Sequence, residues 1–141
     1  MLFRSVDTTV WSLAFRRNVP STAAVAKVSS PALQALRDLV ADGRATLIGA
    51  IRQELLSGMK SHDQFLKLSQ ALAAFDDLVL SRADYELAAE FFNNCRSKGV
   101  QGSNTDFLIC AAASARKLPI LTTDQDFGLY AKHLPINLLV F

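Results

Sequence analysis

Residues 104–127 read NTDFLICAAASARKLPILTTDQDF, and this stretch decides the fold. TDFLICAAASARK has the spacing of an apolar helix, and Cys110 within it reads as core. Leu118-Pro119-Ile120-Leu121 then reads as a short buried strand, which stops abruptly at Thr122-Thr123-Asp124, with Asp126 two places on. In an open α/β sheet, ligands bind outside the carboxyl ends of the strands. A carboxylate in that position either caps the helix that follows or joins others to hold a cation.

The pattern repeats on both sides. Residues 2–7 (LFRSVD) read as a strand ending at Asp7, and TTVWSLAFRR follows with helical spacing. Residues 18–31 are rich in Ser, Val, Ala and Pro and lack a period, so a loop is expected. Pro31 suits the first helical position after Ser30, with Gly43 as the stop. ATLIGAI (45–51) reads as a second strand, RQELLSG as a short helix ending near Gly58, and Phe65, Leu68, Leu72 and Phe75 fall at helical spacing. DDLVLS (76–81) reads as a third strand, and a long helix closes at Gly99. After the fourth strand at 118–123, DQDFGLYAKHL reads as a short helix and INLLVF as a fifth strand. Short apolar strands alternating with helices predict a parallel sheet covered on both faces.

A length of 141 residues suits a single domain spanning 1–141, and a half-hydrophobic, one-fifth charged composition suits a packed core. Apolar runs fall short of the ~20 residues a membrane span needs. Arg4 and Asp7 split the apolar start, and no small-residue cleavage site follows, so no signal peptide is expected. Two cysteines, Cys95 and Cys110, have no disulfide or zinc spacing, which points to the cytoplasm.

Four acids occupy comparable places: Asp7 at a strand end, Glu54 in the first helical turn after a strand, Asp106 three residues after Ser103, and Asp124 at a strand end. Each has an ordinary explanation taken singly. Ser103-Asn104-Thr105-Asp106 fits a capping box, for example. Together they are harder to dismiss, because two carboxylates ~5 Å apart at an effective dielectric near 20 repel by roughly 3 kcal/mol. Converging carboxylates need protonation or a cation, and Mg²⁺ or Mn²⁺ takes oxygen ligands and keeps waters. Formal net charge is +2; were these acids gathered in one pocket with Asp126, the remaining surface would be strongly basic, suiting a polyanionic partner.

VDTTVWSLAFRR, IRQELLSG and NTDFLICAAASARKLPILTTDQDF occur in that order over almost the whole chain, and in this the sequence resembles the PIN-domain ribonucleases, among them the VapC-like toxins of bacterial toxin–antitoxin pairs. The resemblance implies a three-layer α/β/α sandwich around a central, mainly parallel five-stranded sheet. It implies an acidic Mg²⁺ or Mn²⁺ pocket that hydrolyses RNA to 5′-phosphate and 3′-hydroxyl ends. Asp7, Glu54, Asp106 and Asp124 match the four family acids; Asp7, Asp106 and Asp124 would hold the metal, and Glu54 a second ion or the water. Asp126 matches a position often polar or acidic, and Thr8, Thr9 and Thr123 match small hydroxyl residues beside the acids. A cognate small antitoxin is the implied partner. The loop at 18–31 is longer than the usual connection, so loop contacts do not carry over.

Arg16, Arg17, Arg52, Arg116 and Lys117 are candidate RNA phosphate contacts, against an ordinary role as surface charge. A homodimer is expected, with Trp11, Phe15 and the Phe91–Phe92 pair as a candidate face, although the core is the usual home of such residues. A receiver-like phospho-acceptor domain would need paired acids after the first strand and a Lys near the last; the chain offers only Asp7 and INLLVF. A dehalogenase-like phosphatase would need D-x-D after the first strand, but that pattern stands at 124–126. The remaining alternative is a PIN-fold binding module for RNA or protein without catalysis.

Overall fold

The structure is a computed structural model, and it describes residues 46–73, 75–122 and 124–138. The strand expected at 2–7, the helix after it, the loop at 18–31 and the helix ending near Gly43 lie outside the described residues.

Strand β1 (Thr46–Leu47) pairs in parallel with β2 (Asp76–Asp77), Thr46 opposite Asp76 and Leu47 opposite Asp77. Leu78 N–H extends the ladder to Leu47 O at 2.8 Å. The crossover holds two helices, α1 (Gly49–Ser57) and α2 (His62–Leu72). Sequence reasoning extends the strand here to residue 51, but the helix has already begun at Gly49. Ile48, Ile51 and Leu55 are all buried at helical spacing; a short apolar run has no period of its own to tell a strand from a buried helix start.

Ser61 caps α2, accepting Gln64 N–H at 3.1 Å. Leu68, Leu72 and Phe75 are buried as the periodicity predicts, but Phe65 is 39% exposed and stacks on His62. The third expected strand pairs only at its start. Beyond it Leu78 and Leu80 pack on the core while Val79 faces solvent, the alternation of an extended segment.

Helix α3 (Arg82–Ser97) buries Asp84, Ala88, Phe91 and Cys95 along one face. It ends at Gly99, whose φ of +77° is natural to glycine and lets Val100 N–H reach back to Cys95 O at 2.8 Å. Helix α4 (Asn104–Arg116) packs along α3 and is buried without interruption from Phe107 to Ala113. Three consecutive alanines, Ala111 to Ala113, let neighbouring backbones approach closely. Lys117, at φ 55°, turns the chain out of α4 and into the next extended segment. There Ile120 forms a parallel bridge with Leu138. Helix α5 (Asp126–Ala131) lies between these two bridging residues.

The described residues thus carry parallel pairing in four of the five segments expected as strands, within an α/β fold. Phe91 is buried in the core, and the half-buried Phe92 packs against it, meeting Phe107 edge-on with ring centroids 5.5 Å apart. Trp11 and Phe15 lie outside the described residues. Among the described residues, no helix is long and apolar enough to cross a membrane.

Candidate functional site

The site is built where α4 and α5 begin. Ser103 caps α4 by accepting Asp106 N–H at 3.0 Å, which sets Asp106 in the first turn. The Asp106 carboxylate accepts the Tyr130 hydroxyl at 2.8 Å, joining the start of α4 to the body of α5. Asp124 sits just after the Ile120 bridge. Its N–H donates to Thr122 Oγ1 at 2.9 Å, and its own Oδ1 accepts Asp126 N–H at 2.9 Å. Asp124 therefore orders the turn into α5, and the hydroxyl seen beside it belongs to Thr122.

Tyr130 is fully buried, packed against Phe107 at 4.9 Å and Phe127 at 5.1 Å between ring centroids. Its hydroxyl pKa is pushed far up, first by burial, then by the charge and hydrogen bond of Asp106, then by the charges of Asp126 and Asp124. The phenol thus stays protonated and remains a donor. Of the three carboxylates, Asp106 alone bonds the hydroxyl, while Asp126 and Asp124 act on it only through their charge. Gly102 borders this spot. A Cβ on Gly102 would collide with the Tyr130 hydroxyl oxygen, lie 2.7 Å from its Cζ, and stand 3.0 Å from Phe107 Cε2.

Glu54 lies in α1, which begins at Gly49, so it falls in the second helical turn rather than the first. It is half-buried, with Oε2 shielded from solvent. Asp126 opens α5 and is exposed. Asp7, Thr8, Thr9, Arg16, Arg17 and Thr123 lie outside the described residues.

Two of the candidate phosphate contacts are engaged internally. Arg52 donates to the Asp77 carboxylate at 2.9 Å and to the Leu72 and Phe75 carbonyls, each at 3.0 Å, tying α1 to the end of α2 and to β2. Arg116 grips Asp84 with two bonds of 3.0 Å and also donates to Ala112 O and Val79 O. Asp84 in turn completes a capping box with Ser81 at the start of α3. The hydrogen-bonded Arg116 guanidinium holds the Asp84 carboxyl below its ordinary titration range; burial opposes it, and the Ser81 N–H assists. Sequence reasoning passed over Asp84, Thr122, Tyr130 and Gly102. For Asp84 the signal was present, since Ser81-x-x-Asp84 is a capping pattern in register with Ala88, Phe91 and Cys95. Lys117 is exposed.

Among the described residues, no group of three or more acids, histidines or cysteines is gathered closely enough to hold a metal by itself. The donor chemistry nevertheless fits a hard cation. Mg²⁺ keeps several waters and commonly takes only one or two protein carboxylates beside substrate phosphate. Asp106 supplies a carboxylate at the start of α4 and Asp124 one at the turn into α5, and the Tyr130–Asp106 bond joins the two helices.

The pattern of the PIN domain matches residues 5–133. Among solved structures, the chain is similar to FitAcB from Neisseria gonorrhoeae, with 16% identity, a TM-score of 0.66, and 99% of this chain and 97% of that one covered. It is also similar to VapBC2 from Rickettsia felis, solved bound to a DNA fragment from their promoter, with 18% identity, a TM-score of 0.67, and 100% and 99% covered. No curated protein matches the chain significantly. With its family pattern running from residue 5 to 133 and its fold shared over nearly the full length, the chain belongs to the PIN domain family.

Proposed function

We propose that the chain is a metal-dependent endoribonuclease that cuts RNA phosphodiester bonds by water attack and serves as the toxin of a toxin–antitoxin pair. The carrying observation is the 2.8 Å bond between the Tyr130 hydroxyl and Asp106, which joins the start of α4 to the helix that Asp124 leads into through its bond from Asp126 N–H. PIN domains generally bind divalent ions, and Asp7, Asp106 and Asp124 are the residues that would hold Mg²⁺ or Mn²⁺ here. When bound, such an ion polarises a phosphate and lowers the pKa of water.

The chain's own groups do the rest. Asp106 accepts the Tyr130 hydroxyl and stands in the helical turn capped by Ser103. Asp124 is held by the turn it makes with Thr122 and Asp126. Glu54 is the remaining family acid and would orient the attacking water or a second ion. Thr8, Thr9 and Thr123 would support the acids, while Arg16, Arg17 and Lys117 remain for phosphate contact. The toxin reading rests on the VapC-like motifs and on the likeness to VapBC2. It implies an antitoxin whose Arg or Lys side chains neutralise the carboxylates. A homodimer and a cytoplasmic site of action complete the proposal.

The test is RNA cleavage by the wild type with and without chelator, beside Asp7→Asn and Asp106→Asn. Cleavage lost in all three perturbed cases, with melts no lower than wild type, is expected, because replacing one of several like charges relieves repulsion. Undiminished cleavage in either variant removes the assignment. RNA binding without any cleavage marks a binding module instead.

A further inference from the structure

We propose that Tyr130 is a positioning residue of this centre: its hydroxyl orients the Asp106 carboxylate for the cation, with Gly102 leaving room for the phenol. The inference rests on the nuclease reading and adds to it a residue outside the four acids.

The plain alternative is that Asp106 merely satisfies a buried phenol, since buried hydroxyls need partners. One observation weighs against it. The ring of Tyr130 already packs between Phe107 and Phe127, so a phenylalanine would fill the same space without needing any partner. Gly102 leaves room for the whole phenol, ring Cζ as well as hydroxyl, beside Phe107 Cε2. Position 130 thus carries a hydroxyl that the packing does not require, and it makes a 2.8 Å bond to the carboxylate. The bond matters because Asp106 stands on α4 and Asp124 on the turn into α5, the helix that carries Tyr130. A donor from α5 sets the α4 carboxylate against its partner acid. Groups that hold a metal's ligands in place typically govern affinity or activity by 10–100-fold.

The experiment is calorimetric titration of Mn²⁺ into the full chain as wild type, Tyr130→Phe and Gly102→Ala, with melts in chelator to confirm folding. Tyr130→Phe is expected to weaken Mn²⁺ binding by about tenfold and to lower kcat with KM for RNA little changed. Gly102→Ala should act in the same direction. The spectroscopic arm uses Tyr85→Phe, in which Tyr130 is the sole tyrosine left of two. Saturation with Mn²⁺ should shift its absorption band, since a cation on Asp106 weakens the hydrogen bond. Unchanged Mn²⁺ affinity in folded Tyr130→Phe, or no band shift at saturation, overturns the positioning role even where chelator abolishes wild-type cleavage. A wild type that neither binds Mn²⁺ nor loses cleavage in chelator overturns the nuclease reading and this role together.

Discussion

Arg116→Ala is expected to destabilise the protein by about 2–3 kcal/mol, and the reason lies in Asp84. The Asp84 side chain is 5% exposed and Arg116 28%, with two bonds of 3.0 Å between them. Removing one member of a buried ion pair strands the other, which typically costs about 3–5 kcal/mol. The partial exposure of Arg116 lets water reach the vacated space, which places the effect at or below the low end of that range. At about 3–4 °C per kcal/mol for a chain of this size, the melting temperature should fall by roughly 6–12 °C. Replacing both residues by apolar ones, as Asp84→Leu with Arg116→Met, should cost less than Arg116→Ala alone, because no unpaired charge remains. The pH dependence has a definite sign. Asp84 titrates lower in the folded chain than in the unfolded one, so its contribution is complete above the unfolded aspartate value near 3.9 and is lost as pH falls through the folded value. The gap in denaturant-measured stability between wild type and Asp84→Asn should therefore narrow below about pH 4. An Arg116→Ala melt matching wild type, or a gap that widens in acid, would refute the reasoning.

Asp124 and Asp126 should separate. Asp124→Asn is expected to weaken Mn²⁺ binding strongly while Asp126→Ala has a smaller effect, because Asp124 precedes the helix whose first residue is the exposed Asp126; equal losses by calorimetry would show that both reach the ion. Asp124→Ala should additionally cost about 1 kcal/mol in a melt through the lost Asp126 N–H contact. Both cysteines should resist a thiol reagent in the native state and react on unfolding. Burial pushes the thiol pKa up at each, assisted at Cys110 by the charge of Asp106; rapid native labelling would contradict this.

The sequence by itself determined the family, the parallel α/β pattern and the positions of α2, α3 and α4, because α2 and α3 have a periodic face, α4 is an apolar run too long for a strand, and all three have a readable cap. Ser61, Ser81 and Ser103 all stand at the helix starts their chemistry suggests. It also marked Asp106 and Asp124 as residues at element ends. It misjudged segment 45–51, where apolar residues lie in a row and carry no period. What only the tertiary structure decided is which side chains meet. Asp106 and Tyr130 are 24 residues apart and Arg116 and Asp84 are 32 apart, and no local pattern encodes either pair. A tyrosine in an apolar helix reads as core, and an arginine at a helix end reads as surface charge. Each acquires its role only when packing removes water from it, leaving a carboxylate on another element as its partner.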